Sequence, residues 1–351
     1  MSLYVKDYDY DLNEDLIADQ PPTVRGTSRL LVVDPLNQTL QDKHYKNIVD
    51  LLSPGDLLVL NDTKVLPARI ITTKDNGAER EIILIERHAK NENWFTHKVI
   101  YRRRLNAGDT LRTKSSYQIK VRSVGGDGTA IVESNKDLLE IADIDGEIPL
   151  PPYMHRKATP DDIIRYQTVW AKNIGSVAAP TASLNMTNEI LAQLKLKGIN
   201  ITYLTLHVGL GTFLPIRTND LTNHKMHSEY FEIPAETVKL ISETKAAGKQ
   251  VVAVGTTVTR TLEFAKDRLI GNHEPITGEA DIFIYPGYDF QIVDQLITNF
   301  HAPRSTVLML TAAFCGWDFL KQAYDHATKE KYNFLSYGDS MLIQTRYQHE
   351  I

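Results

Sequence analysis

The sequence predicts an α/β protein whose main layer or barrel is interrupted by an all-β unit. Three observations lead there. From about Val65 to Val132 short β-rich runs are separated by turn signals. From about Asp161 onward strands and helices alternate, the pattern of an α/β layer or barrel. Between them, residues 147–152 (EIPLPP) are proline-rich and unsuited to a helix, which marks the exit from the β unit.

The elements follow in order. Residues 11–19 (DLNEDLIAD) predict a short helix opened by acidic and amide residues. Arg29–Val33 reads as a strand, Tyr45–Leu52 as a helical segment stopped by Pro54-Gly55, and Leu57–Leu60 as a buried strand. Ile82–Ile85, Trp94–Tyr101, Tyr117–Val124 and Thr129–Val132 are the β-rich runs. Asn76-Gly77, Asn106-Ala107-Gly108-Asp109 and Gly125-Gly126-Asp127-Gly128 are their turns, and the spacing fits a small barrel or sandwich. Thr187–Lys197 is helical and ends at Gly198; Ile199–Val208 is a strand. Ala235–Ala247 is a helix stopped by Gly248. Val251–Val254 is a strand running into Gly-Thr-Thr and a helix from about Val258. Asp281–Tyr285 reads as a strand, and Thr306–Phe314 and Trp317–Lys329 as helices.

The chain has 351 residues, 42% apolar and 24% charged, with a net charge of −5. That composition suits a globular protein with a sizeable core and gives no chain-wide basic field, so any nucleic-acid contact has to be local. The single cysteine, Cys315, excludes an internal disulfide framework and lies in an apolar run where a buried, inert thiol is expected. No signal peptide and no apolar run of ~18 residues is found, so a cytoplasmic protein without a membrane segment is expected. The phosphate-loop, H-E-x-x-H and G-x-S-x-G motifs are absent. Gly209-Leu210-Gly211 lacks the third glycine of a dinucleotide fingerprint, because Leu214 stands there with Pro215 next.

Five polar stretches adjoin strands. Asn61, Asp62, Thr63 and Arg69 follow an apolar strand and suit hydrogen bonding to a sugar or heterocycle, although an Asx-turn is the better reading of that stretch alone. Arg165-Tyr166-Gln167 precedes Gly175–Ser183, where small residues let a backbone approach a ligand; Arg165 either pairs with a carboxylate or phosphate or caps a tight turn. His207, at a strand end beside glycines, and His227 read as proton-transfer residues, while His224 reads as a solvated loop residue. The H-x-x-H-x-E spacing of His224, His227 and Glu229 makes zinc only a minor reading, and no metal is expected. Gly255-Thr256-Thr257 opens a helix and with Arg260 suggests an anion cup, favoured over simple threonine capping. Asn299 and His301 are polar amid an apolar run, where a buried, satisfied histidine is the plainer reading; Tyr288 and Phe300 suit stacking on a base or sulfonium. Lys98 with Arg102-Arg103-Arg104 suits phosphate contact, or else a solvated strand end.

These pieces stand in a recognisable order: Gln20-Pro21-Pro22 with Arg25 and Ser28-Arg29, LVLNDTKVLPARI, GEIPLPPYMHR, RYQTVWA, GSVAAPTA, ITYLTLHVGLGTF, HKMHSE, VGTTVTRTLE, DIFIYPGY, LITNFHAPRST and Ser336-Tyr337-Gly338-Asp339. From about Tyr8 to Ile343 the chain resembles the S-adenosylmethionine:tRNA ribosyltransferase-isomerase family of queuosine biosynthesis. Each piece is weakly specific; the ordered set is highly specific. The resemblance implies an α/β barrel-like catalytic domain (1–63 and 150–351) carrying an inserted all-β barrel domain (64–149). It implies transfer and isomerisation of the ribosyl part of S-adenosylmethionine onto 7-aminomethyl-7-deazaguanine at the tRNA wobble position, giving epoxyqueuosine, adenine and methionine. No cofactor beyond S-adenosylmethionine as co-substrate is expected, and the protein is expected to be a monomer.

A sulfonium acidifies the adjacent 5′ carbon, and His207, His227 and Glu229 are the candidates for the base that removes its proton. Gly255, Thr256, Thr257 and Arg260 suit the methionine carboxylate, and Arg25, Arg29, Arg69 and Arg165 suit tRNA phosphate or the deazaguanine. Asn61, Asp62, Thr63, Gln167, Thr181, Asn299 and His301 complete the expected substrate-binding set, Asn, Thr and His being suited to hold adenine. The segments are expected to converge on one cavity. Ser183-Leu184-Asn185-Met186 departs from the family's Gly-Leu-His-Phe, and Asn185 does not shuttle protons near neutral pH. That departure motivates an alternative, a non-catalytic or repurposed relative that binds tRNA or S-adenosylmethionine.

Overall fold

The computed structural model describes residues 2–90, 92–209, 211 and 216–345. Its largest element is a nine-stranded mixed sheet. The strand order is Ile276–Ala280, Glu229–Ile233, Asn200–Leu206, Leu57–Asn61, Val251–Val254, Gln295–Asn299, Ser340–Ile343, Arg29–Asp34 and Thr39–His44. Asn200–Leu206, Leu57–Asn61, Val251–Val254 and Gln295–Asn299 run parallel to one another. Leu57–Asn61 and Val251–Val254, covered on both faces, read as near-continuous apolar runs rather than alternating ones. The period of two still decides which core each side chain joins. Leu31, Val33, Leu57, Val59, Val251 and Ala253 enter one core, which packs against the helices Ala235–Ala246, Thr306–Cys315 and Trp317–Lys329. Leu30, Val32, Leu58, Leu60, Val252 and Val254 enter the other, under the helix Asn188–Leu196.

The second sheet closes on itself. Strands Arg69–Lys74, Glu79–Leu84, Thr96–Arg102, Thr129–Ser134, Gln118–Val124 and Thr110–Thr113 pair antiparallel in that order, and the last returns to the first through Thr72 opposite Thr113. Full closure leaves these six strands without an unpaired edge. Ile70, Ile82, Val99, Leu111, Ile119 and Val132 fill the interior, and the helix Leu138–Asp145 packs Leu138, Ile141 and Ala142 into the same core. The chain then leaves through Gly146-Glu147, which pairs with Ile70 and Arg69. A Cβ on Gly146 would stand 1.9 Å from the Pro67 carbonyl oxygen, so only glycine fits that crossing.

Several expectations change. The large sheet has two edges, Ile276–Ala280 and Thr39–His44, so among the described residues hydrogen bonds close only the small barrel. The helix expected over 11–19 is reduced to one 3-10 turn, Glu14–Leu16, capped by Asn13. The strand expected over Asp281–Tyr285 lies one segment earlier, at Ile276–Ala280. The basic segment is neutralised on the barrel exterior, with Lys98, Arg102 and Arg103 beside Asp127, Glu81 and Glu79. Two further strands, the polar edge Thr39–His44 and the short Ser340–Ile343, were not expected.

Barrel packing generates a direct expectation. Ile82→Ala removes a fully buried side chain from the barrel core and is expected to cost about 2–5 kcal/mol in urea unfolding.

Candidate functional site

A cavity of about 160 Å³ lies at the carboxyl ends of Val251–Val254 and Gln295–Asn299, where open α/β sheets present their ligand crevices. Gly255 follows the first strand with φ +97°, a backbone that glycine adopts without strain, and its N–H donates to the Ile297 carbonyl at 2.8 Å. The helix Thr256–Phe264 starts there, placing Gly255, Thr256 and Thr257 on the cavity wall. Asn299 and His301 come from the second strand and the turn after it. The Thr181 hydroxyl donates to Asn299 Oδ1 at 2.9 Å, and Asn299 Nδ2 donates to the Asp339 carbonyl at 3.3 Å. His301 Nε2 lies 2.8 Å from the Thr298 hydroxyl, and burial pushes its imidazole down to about 3, so it is neutral at physiological pH. Among the described residues the lining holds no Asp, Glu, Lys or Arg.

A small hollow of about 10 Å³ shares Thr256, Thr257 and Val307 with this cavity and reaches Met226 and Arg260. Behind it lies a buried ion pair. Glu229 is fully buried, and its carboxylate takes the Arg260 guanidinium on one oxygen and the Gly209 N–H on the other at 2.8 Å. Burial alone would raise the Glu229 carboxyl; Arg260 and then His227 outweigh it and hold it at about 2. His227 Nε2 stands 3.3 Å from the same carboxylate, off the line of a good hydrogen bond. Arg260 also donates to the Ala280 carbonyl at 3.1 Å and the Ile282 carbonyl at 3.3 Å.

The structure brings only part of the expected site together. Of Arg165, His207, His227 and Thr256, expected around one cavity, only Thr256 lines it among the described residues. Glu229 is a buried structural partner ionised at physiological pH, and each nitrogen of Arg260 is engaged within the protein, so neither is a free base or a free anion seat. His207 is 2% exposed, and Nδ1 lies 2.9 Å from the Thr63 hydroxyl; its neighbour Val208 faces the cavity instead. Burial lowers the His207 imidazole to about 3, with Arg87 and His88 adding to it.

Asn61 forms the Asx-turn that its stretch alone suggested: Oδ1 accepts from Thr63 N–H and from Leu206 N–H, both at 3.1 Å. Asp62 accepts from Thr205 at 2.6 Å, and Thr63 bonds Ser176 at 2.7 Å. Gln167 clips both the N–H and the carbonyl of Val65 at 2.9 Å.

Arg25, Arg29 and Arg165 donate to main-chain carbonyls. Arg25 donates to the Gln167 carbonyl at 2.9 Å, and Arg165 donates to the Pro22 carbonyl. Arg29 donates to the Glu330 and Lys331 carbonyls at the end of a helix while stacked on Tyr332. Arg69 pairs with Glu81 at 2.8 Å on the barrel. Phe300 is buried among Tyr324, Tyr332 and Phe334, and the Tyr288 hydroxyl bonds Glu263, so neither lines the cavity. Leu210 and residues 212–215, part of the glycine-rich stretch, lie outside the described residues.

The cavity also contains residues that the sequence reading passed over: Tyr153, Thr298, Ser305 and Ser336. All four stand inside quoted motifs, so the signal was present without a means of choosing among motif positions. Tyr153 and Ser336 hydrogen-bond through their hydroxyls. Asn185 lies off the cavity, accepting from Ser28 at 2.7 Å and donating to the Gly338 carbonyl at 3.0 Å. The departure from the family pattern therefore falls on a supporting network. Cys315 is buried, and burial raises its thiol.

Comparison with known proteins places this geometry in context. A family model described as queuosine biosynthesis protein matches residues 5–343. The chain is 50% identical over 341 residues to the S-adenosylmethionine:tRNA ribosyltransferase-isomerase of Pelodictyon phaeoclathratiforme, covering 96% of this chain and 98% of that one. The protein of the same name from Chlorobium chlorochromatii is 51% identical over 345 residues, covering 97% and 100%. The crystal structure of S-adenosylmethionine tRNA ribosyltransferase from Thermotoga maritima aligns with a TM-score of 0.55 and 34% identity, covering 96% of this chain and 99% of that one.

The ion pair has measurable consequences. Glu229→Gln strands the Arg260 charge in a dry site, and a loss of about 3–5 kcal/mol in chemical denaturation is expected. Because the folded carboxyl is held below its ordinary 4.5, its stabilisation is complete above pH 4.5 and is lost as pH falls toward about 2. Acid unfolding of the wild type is expected to draw on that window, and the Gln variant is expected to lose that part of the pH dependence.

Proposed function

The chain belongs to the queuosine biosynthesis protein family, and we infer that it is an S-adenosylmethionine:tRNA ribosyltransferase-isomerase. It transfers and isomerises the ribosyl moiety of S-adenosylmethionine onto 7-aminomethyl-7-deazaguanine at the tRNA wobble position, releasing adenine and methionine and leaving epoxyqueuosine. The observation that carries this reading is the match over nearly the whole chain, at about half identity, to relatives bearing that activity in their names. The uncharged cavity at the strand ends is consistent with it, because a neutral heterocycle can be buried there at low cost. The non-catalytic alternative is not favoured: it rested on Ser183, Asn185 and Met186, none of which lines the cavity among the described residues, and Asn185 holds the 338–340 segment instead.

In this reading a base removes a proton from the 5′ carbon next to the sulfonium, and adenine leaves from the anomeric carbon. His227 is the proposed base. It is partly exposed, it stands beside the Glu229 carboxylate, and its neighbour Met226 lines the hollow adjoining the cavity. The neighbouring carboxylate would stabilise the imidazolium formed when the ring takes that proton. Thr181, Gly255, Thr256, Thr257, Asn299 and His301 are the proposed substrate contacts. The reading assigns S-adenosylmethionine as co-substrate and no further cofactor.

We further propose that residues 64–149 form an inserted domain within a barrel-like catalytic domain, and that the protein works as a cytoplasmic monomer. Among the described residues, no helix is long and apolar enough to cross a membrane.

Incubating the protein with S-adenosylmethionine and tRNA carrying the aminomethyl-deazaguanine is expected to yield epoxyqueuosine by mass spectrometry, with adenine release dependent on that tRNA. Binding without turnover would favour the alternative instead. His227→Ala is expected to lower kcat roughly 10²–10⁴-fold; unchanged turnover removes it as the base. His207→Gln is expected to leave the shape of the pH profile between pH 5 and 8 unaltered, since His207 is neutral throughout that range.

A further inference from the structure

Two heterocycles enter the reaction proposed above, and they present opposite edges. Adenine has a 6-amino donor beside ring-nitrogen acceptors. A 7-deazaguanine has a 6-oxo acceptor beside an N1–H donor, and no N7. We propose, resting on the ribosyltransferase-isomerase reading, that Asn299 is the specificity-determining residue that seats the adenine of S-adenosylmethionine in the cavity and rejects a 6-oxo base.

The polarity of the Asn299 amide is pinned. Asn299 forms part of the cavity wall at the end of its strand and is 2% exposed. The Asp339 carbonyl only accepts, so the Asn299 nitrogen has to face it, and the amide cannot turn over. Oδ1 is held from the other side by the Thr181 hydroxyl. A side-chain amide has two N–H hydrogens and two oxygen lone pairs. One of each is engaged, which leaves one acceptor lone pair and one donor hydrogen, on atoms whose order the two pins fix. That pair complements a 6-amino group and an adjacent ring nitrogen, the way an amide reads adenine in nucleic acids. Against a 6-oxo base, oxygen would meet oxygen.

Charge points the same way. Among the described residues the wall holds no ionised side chain, and His301 is neutral. A sulfonium, ammonium or carboxylate buried there would lack a partner, whereas a neutral base does not need one. Val208, Val307 and Leu335 supply apolar surface for the ring faces. The charged end of the co-substrate is therefore placed outside the cavity.

The test compares S-adenosylhomocysteine with S-inosylhomocysteine, which exchanges the 6-amino group for oxygen, by calorimetric titration. The wild type is expected to prefer the adenosyl compound roughly 10- to 100-fold. In Asn299→Ala the preference is expected to fall below about threefold, with the melting curve reporting that the variant is folded. Thr181→Val, which removes one of the two pins, is expected to give an intermediate preference, and it stands in if Asn299→Ala does not fold. Equal binding of the two compounds by the wild type overturns the proposal. So does an undiminished preference in folded Asn299→Ala, or in Thr181→Val where that variant stands in. Epoxyqueuosine formation by the wild type is measured in parallel: its absence counts against the reaction assignment, whereas turnover together with indifference to the 6-substituent counts against Asn299 alone.

Discussion

The covering of the central strands on both faces constrains everything else in this molecule. Leu57–Asn61 and Val251–Val254 are buried along their whole length, so no ligand reaches the sheet from above or below. What remains accessible is the strand ends, where the chain has to turn and where polar residues are tolerated. Gly255, Thr256, Asn299 and His301 all occur at such ends. The cavity is thus a consequence of layering: side chains at the last positions of two neighbouring parallel strands, Val251–Val254 and Gln295–Asn299, are brought together whatever their separation in the chain.

Much of the fold was legible because strongly apolar strands and long amphipathic helices announce themselves. Val251–Val254 was found at its observed limits, and Trp317–Lys329 likewise. The elements that were missed give weak local signals. Thr39–His44 is a mostly exposed, mostly polar edge whose sheet pairing is with Arg29–Asp34. Glu229–Ile233 begins with a carboxylate that reads as a loop residue until Arg260 is seen against it. Closure of the barrel depends on the return of Thr110–Thr113 to Arg69–Lys74, a long-range pairing that no short window contains.

The candidate site was legible by motif and not by role. Polar residues within a ligand-binding motif and polar residues that hold the motif's own backbone have the same composition. Asn61 and Asn299 both follow apolar strands, yet Asn61 is turned into its own main chain and Asn299 is on the cavity wall. The arginines show the same ambiguity. A guanidinium offers five donors, which suits phosphate, and it equally suits the carbonyls left open where helices end, as Arg29 demonstrates at Glu330 and Lys331. Asn185 illustrates the converse. A residue that looked like a lost proton shuttle is a three-way bridge among Ser28, Gly338 and Ser340.

The crossing at Gly146 has an architectural consequence. Arg69 and Glu147 are direct partners in antiparallel register, so the polypeptide enters and leaves the β unit through adjacent positions. The two ends of the excursion therefore stand a strand spacing apart, the separation that a hairpin turn spans, so the nine-stranded scaffold meets the barrel at a single doorway in the covalent chain.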